Sequence, residues 1–347
     1  MLKLLDKYKK WREQRWFKNA GMLIKLAIAV LIIWVLLAKA NISKESFADL
    51  DLRWIGAAFA AILLQNLLTG VRWWFLMRSI GGKSTLFEAV SLTMQGLFFT
   101  LFIPGGAVSG DVVKAALIAG NTANGGKFAA VFSVLIDRVC GLCGLLLLAF
   151  TAALIVLLSN MQISDVFRSL LIIITVCSPA ALLCALLAFR CDLILKIPFF
   201  RKLYEFADKV TKGTVSRIEE ALAAYRCAWK TVLLWTILSG FAAFPLIALA
   251  IWFISAGCMG SGVLGKFDCA AGSILSGSIG ELAGILPLTP GGIGVRDAVF
   301  VEIFKSCGLD SGVSTKIPVI FTALFVLASS TGALFALYML LVKKRKR

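Results

Sequence analysis

The chain has 347 residues, 60% of them apolar, and a mean hydropathy of +0.91. A soluble core of that length does not call for so much apolar surface, so most of it must face lipid. The 36 Lys and Arg against 19 Asp and Glu leave a net charge of +17, but the basic residues stand at the ends of apolar stretches. That placement orients a membrane protein and argues against a nucleic-acid partner.

Residues 1–19 alternate Leu4, Leu5, Tyr8, Trp11 and Trp16 with lysines and arginines. Two readings stand for them, an interfacial helix on the inner leaflet or an unstructured basic leader. Apolar stretches at 21–38, 54–77, 127–158, 168–189, 231–255 and 315–342 predict about six full spans, each long enough to cross roughly 30 Å of hydrocarbon. Ala38-Lys39-Ala40 resembles a cleavage site, yet the basic region before it is too long for a signal peptide, and the first helix is read as uncleaved. Trp54, Trp73, Trp74, Trp229 and Trp235 fall at span ends, where indoles favour the headgroup region.

Two further apolar stretches, 86–119 and 267–307, are each interrupted by Pro-Gly-Gly. Neither can be one helix. Each is expected to enter the membrane and return, the first from the cytoplasm and the second from the opposite side, so that they meet near the middle; two full crossings by each would keep the same parity and stand as the alternative. Between the halves, 191–230 predicts one or two amphipathic helices on the inner surface. The basic blocks Lys3 to Lys18, Arg190 to Lys230 and Lys343 to Arg347 are placed in the cytoplasm, with both termini. The expected fold is all-α: one integral membrane domain over 1–347, with two re-entrant hairpins forming an inverted repeat.

No histidine is present. Ser-His-Asp and Cys-His nucleophiles and His-ligated metal centres are therefore excluded, and neither a cofactor nor a metal is expected. The nine cysteines lie mostly in apolar stretches. Cys140 and Cys143 form a CxxC, read as small polarizable residues of a helix core.

Residues 104–111 read PGGAVSGD and 290–297 read PGGIGVRD. In each an Asp follows the Pro by seven positions, and Gln95 or Glu281 precedes it by nine. The shared pattern argues for an internal repeat, and inverted repeats with broken helices are a transporter signature. After each break a helix starts with unpaired N–H groups, and Gly105, Gly106, Gly291, Gly292 and Gly294 let an anion approach them. Alternatively Pro290 and the glycines only make the turn, while Asp111 and Asp297 cap their helices.

Charges deep in a span need a partner, water or a ligand. Asp137 and Arg138 lie about 15 Å into theirs and point in different directions, so each should meet a different partner. Arg138 is read either as a phosphate contact or as an ion-pair partner of Asp111. Lys114 and Arg296 bring a cation to each break. Glu281 and Glu302 read equally as proton carriers or as salt-bridge partners of Arg296 and Lys305. Arg72, near its span end, is expected to reach the interface, and Gln65 and Asn66 to hydrogen-bond between helices.

The stretch FIPGGAVSGDVVKAAL (102–117), the helix with Asp137 and Arg138, and LPLTPGGIGVRDAVF (286–300) resemble the membrane domain of the lysylphosphatidylglycerol synthase/flippase family. The resemblance implies a bundle that moves a modified lipid between leaflets, in a bacterial inner membrane. It also implies that Gly105, Gly106, Asp111, Lys114, Arg138 and Pro290 through Asp297 are the family's functional positions. Lys114 stands where relatives often carry Arg, which loses a bidentate fork for phosphate. The soluble aminoacyl-transferase domain of bifunctional members is missing after Val342, so lysylphosphatidylglycerol synthesis by this chain alone is not expected.

Three functions follow. The first is a flippase for a phosphate-bearing or otherwise modified lipid. The second is a membrane-embedded transferase, or an accessory to a lipid-modifying enzyme, with Asp111 or Asp297 as base. The third is a secondary transporter of a small soluble anion. Membrane lipids and an anionic or lipid-phosphate substrate are the expected partners.

Overall fold

The computed structural model describes residues 50–102, 107–121, 127–159, 161, 163–190, 198–211, 214–285 and 289–345. The basic leader, the expected first span at 21–38 and the first Pro-Gly-Gly, Pro104 to Gly106, lie outside them. The described residues contain helices and no strand.

In chain order these are α1 (Leu52–Arg78), α2 (Leu86–Phe102), α3 (Ala107–Asn121), α4 (Lys127–Leu158), α5 (Asp165–Phe189), α6 (Pro198–Val210), α7 (Thr214–Cys227) and α8 (Trp229–Leu238). There follow α9 (Pro245–Met259), α10 (Phe267–Leu275), the single turn α11 (Glu281–Gly284), α12 (Val295–Ser306) and α13 (Ser311–Arg345). Five stretches are long and apolar enough to cross a membrane: α1, α4, α5, α8 with α9, and α13. They match five of the expected spans. The chain is thus an all-α polytopic membrane bundle.

Side chains set several helix starts. The Asp51 carboxylate accepts from the Arg53 N–H at 3.0 Å, the Ser164 hydroxyl from the Phe167 N–H at 3.3 Å, and the Asp310 carboxylate from the Gly312 N–H at 2.8 Å. Each satisfies a donor that the first helical turn leaves open. Two π-helical turns, Ser239–Ala243 and Ser276–Gly280, interrupt otherwise α-helical stretches.

The two interrupted stretches form packed helix pairs, called hairpins from here on. In the first, α2 and α3 touch backbone to backbone: a Cβ on Gly110 would collide with the Gly96 carbonyl and the Thr100 hydroxyl. In the second, α10 with α11 packs against α12, and Gly280 and Gly272 lie under the Phe300 and Phe304 rings. The hairpins meet where a Cβ on Gly291 would come within 2.7 Å of Leu101.

Packing between the halves is reciprocal. α1 and α9 run antiparallel, since the Asp51 N–H at the start of one donates to the Gly257 carbonyl at the end of the other at 3.1 Å. α2 lies on α13, with Phe87 against Phe335 and Tyr338, and Gly332 against the Met94 carbonyl. In exchange α10 lies on α4, Ala271 and Leu275 joining Ala152, Ala153 and Val156. Each hairpin's first arm therefore rests on the span that follows the other hairpin. A central core from α1, α9, α12 and α13, including Ile62, Ile251, Phe300 and Phe321, joins the two.

α5 buries few of its residues, and Ile172, Ile173, Val176, Leu183 and Leu186 are exposed. In a bundle of spans that is lipid-facing surface. The segment between the halves forms the two short helices α6 and α7, tied by Tyr204 donating to Glu219 at 2.6 Å. Tyr225 of α7 is buried against Phe132 of α4. Trp73 departs from the expected interfacial role: it is fully buried, its indole N–H bonded to the Ser133 hydroxyl at 3.0 Å.

If the Gly96–Gly110 crossing holds the first hairpin shut, Gly110→Val lowers unfolding stability in detergent by about 1–3 kcal/mol through overpacking. Gly262→Val, with nothing within 4 Å of its Cβ, leaves the thermal transition in place.

Candidate functional site

The first charged cluster forms where α1, α3, α4 and the Ser239 π-turn converge. Asp137 on α4 accepts from Arg72 Nε at 2.8 Å and from Lys114 Nζ at 3.3 Å. All three side chains are at most 5% exposed. Arg72 Nη1 also donates to the Ser239 hydroxyl at 2.9 Å, and Lys114 lies 3.8 Å from the centroid of the Trp73 ring. Gly141 beneath the Arg72 guanidinium makes room for it, a Cβ there lying 3.1 Å from Nη2. Two cations thus share one carboxylate.

Arg72 corrects the sequence reading. It is not at the interface, because α1 turns it inward, against α4 and the π-turn, with 4% of the residue exposed. Its position roughly 9 Å from the helix end left either direction open, and the register that brings Ser239 opposite it is not visible in sequence.

Arg138, next to Asp137, points elsewhere as expected. Its Nη2 and Nε donate to the Asp111 carboxylate of α3 at 2.6 and 2.9 Å, and it is 51% exposed. The ion-pair reading of Arg138 holds. Asp111 lies in the second turn of α3 and serves that pair, not a helix cap.

The second cluster sits at the second break. Gly291, Gly292 and Gly294 have φ of 60°, 72° and 87°, in the left-handed region. Asp297, 1% exposed, accepts from the Gly294 N–H at 3.0 Å and from the Thr322 hydroxyl at 2.7 Å, so it does cap α12. Arg296, equally buried, lies between the Phe321 and Phe325 rings at 4.7 and 4.6 Å. It donates from Nη2 to Thr322 at 3.0 Å and from Nη1 to Glu281 at 3.3 Å, while its Nε finds no hydrogen-bond partner. Glu281 is 23% exposed. Here two carboxylates share one cation.

The clusters occupy equivalent places, each joining a hairpin's second arm to the span that follows it. Of the residues expected to form a site, Asp111, Lys114, Asp137 and Arg138 gather at the first junction, and Glu281, Gly294, Arg296 and Asp297 at the second. The Pro290–Gly292 turn lies between the second cluster and α2. Gly105 and Gly106 lie outside the described residues. Glu302 pairs with Lys305 at 3.7 Å on an exposed face, away from the cluster. Gln65 bonds Thr69 within its own helix and not a neighbour, and buried Asn66 has an amide nitrogen without a partner. Ser239, Thr322, Phe321 and Phe325 were not singled out by sequence, and Arg72 and Trp73 were placed at the interface with no part in the site.

Beside the second cluster, a cavity of about 470 Å³ follows one face of α13, lined by Val319, Thr322, Ala323, Val326, Leu327 and Ser330. Thr322 belongs to both the cavity wall and the Arg296–Asp297 network.

Buried charges between helices that cross a bilayer define a polytopic α-helical membrane protein with a polar interior. The chain belongs to the family described as lysylphosphatidylglycerol synthase TM region, which it matches over residues 22–330. That membership ties its work to membrane lipid. Comparison with curated proteins and with solved structures gave no match.

Removing one partner of a buried ion pair costs about 3–5 kcal/mol, because a charge is left without a counter-charge. Asp137→Asn is expected to lose that much in detergent unfolding, and Lys114→Met, which keeps the Arg72 pair, roughly half or less. Gly292→Ala loses about 1–2 kcal/mol from its left-handed backbone, and more from a Cβ placed 2.6 Å from Gly284 Cα; the same unfolding assay reads it.

Proposed function

We propose that the protein is a lipid flippase: it carries the anionic or phosphate-bearing headgroup of a membrane lipid between leaflets while the tails stay in an apolar environment. The observation that carries this reading is Thr322. One residue hydrogen-bonds to the buried Arg296–Asp297 network and also lines an apolar cavity along a membrane-length helix. A lipid needs that adjacency, polar partners for its head beside apolar wall for its tails. A soluble anion has no use for the apolar half.

Two cations on Asp137 leave surplus positive charge inside the bundle. An anionic headgroup would offset it in a medium where uncompensated charge is costly. The two hairpins, read as re-entrant and opening from opposite sides, would alternate access at their meeting point by Leu101 and Gly291. The membrane is proposed to be a bacterial inner membrane, with the basic segments inside. Both candidate bases of a transferase are already engaged, Asp111 by Arg138 and Asp297 by Gly294 and Thr322, which speaks for transport over chemistry. A partner enzyme would then supply the modified lipid.

The test is leaflet exchange of fluorescent phosphatidylglycerol in proteoliposomes. Arg296→Ala, which removes the cation, and Val326→Trp, which fills the cavity, are each expected to slow exchange about tenfold, equivalent to roughly 1.4 kcal/mol. Exchange unaffected by both, with folded protein, would falsify this site. Uptake of inorganic phosphate without lipid exchange would replace the flippase by a soluble-anion carrier.

A further inference from the structure

The second cluster holds a group whose charge is not tied down. Asp297 has a donor on each oxygen, the Gly294 N–H and the Thr322 hydroxyl, and Arg296 lies 3.9 Å from it against two aromatic rings. Those two offset one another and stay in place without help. Glu281 is the carboxylate left over. Its one polar side-chain contact among the described residues is a 3.3 Å bond to Arg296, and it is 23% exposed where its two neighbours are 1%.

Its place in the fold is equally particular. Glu281 opens the single helical turn α11, directly after the π-turn Ser276–Gly280 and nine residues before Pro290. Its bond to Arg296 ties the first arm of the hairpin to the second. Buried Arg296 has an Nε donor without an acceptor, so its guanidinium has capacity that Glu281 does not fill.

Among the described residues the surroundings offer no competing acid beyond those already engaged. The turn packs against the Ser276–Gly280 π-turn and the Pro290–Gly292 turn, which carry no ionisable side chain, and against α12 and α4. On α12 the ionisable groups are Arg296, Asp297 and the outward Glu302–Lys305 pair. On α4 beyond its first residue they are Asp137, engaged by Arg72 and Lys114, Arg138, engaged by Asp111, and the thiols Cys140 and Cys143.

We infer that Glu281 is a proton-binding site, and that movement of lipid by this protein is coupled to movement of a proton through it. This rests on the flippase reading for its cargo but not for its proton. A proton from water adds to a carboxylate oxygen of Glu281, the ion pair with Arg296 is lost, and the arms of the second hairpin are freed to part. Arg296 is then left with donors for a phosphate. Release of the proton to the other side restores the pair and closes the hairpin.

The experiment uses the full chain in vesicles of phosphatidylethanolamine and phosphatidylglycerol with a trapped pH dye. Proton entry and exchange of fluorescent phosphatidylglycerol are recorded on the same vesicles, with and without an imposed pH gradient. In the wild type, a gradient of one unit is expected to drive proton entry and to raise exchange up to about tenfold, the ratio of proton activities. Glu281→Gln abolishes proton entry and the effect of the gradient, Glu281→Asp keeps both, and Glu302→Gln behaves as wild type. Exchange that ignores the gradient, with no Glu281-dependent proton entry, overturns the inference and leaves the flippase standing. Absence of both exchange and Glu281-dependent entry overturns both. Glu281-dependent proton entry without lipid exchange keeps the proton site and removes phosphatidylglycerol flipping.

Discussion

The structure turns on the cost of burying charge where there is no water to solvate it. Asp137 meets Arg72 and Lys114 from two other helices, with all three side chains at most 5% exposed. None could be held there alone, since an uncompensated ion inside protein costs several kcal/mol. The three helices must therefore approach to within salt-bridge distance, and small residues permit it. Gly144 receives Ser239 and Gly240 so closely that a Cβ on it would lie 2.6 Å from the Ser239 side chain. The π-turn at Ser239 places its hydroxyl on Arg72 in the same register. Packing and charge are one constraint here.

The second half meets the same constraint with different means. Where Asp137 answers two cations, Arg296 is held by two aromatic faces, a hydroxyl and a long carboxylate contact. Cation–π contact is worth most when desolvated, so the Phe321 and Phe325 rings stabilise a cation without cancelling its charge. Repeated sequence has given equivalent positions unlike duties. Asp297 caps a helix, while Asp111 pairs with an exposed arginine.

Much of this was legible in the chain. Apolar runs placed α1, α4, α5, α13 and the α8–α9 span because hydrophobic length is a direct consequence of bilayer thickness. Pro-Gly-Gly marked the second break, where three glycines take left-handed backbone that other residues avoid. The separate partners of Asp137 and Arg138 followed from the 100° between successive helical residues. Partners across helices were not legible. Arg72 carries the same sequence signature whether it snorkels outward or turns inward, and only the register of α1 against α4 decides between them. Trp73 was misplaced for the same reason. Thr322 has no motif at all; its role exists only because α13 passes the break in the second hairpin.

The unlike charge of the two clusters has a mechanical side. Close backbone contacts, Gly110 on Gly96 and Gly292 on Gly284, leave each hairpin no room to deform gradually. Packed interiors respond in discrete shifts and not by continuous bending, so each hairpin is expected to move as a unit. The units touch at Leu101 and Gly291, and each lies with its first arm on the span that follows the other. A change of charge at one break therefore alters an arrangement whose neighbours belong to the other. The first cluster carries surplus positive charge and the second surplus negative charge. Loss of the Glu281 charge, as proposed, would therefore free Arg296 at one hairpin and change the charge that the other hairpin faces across their contact.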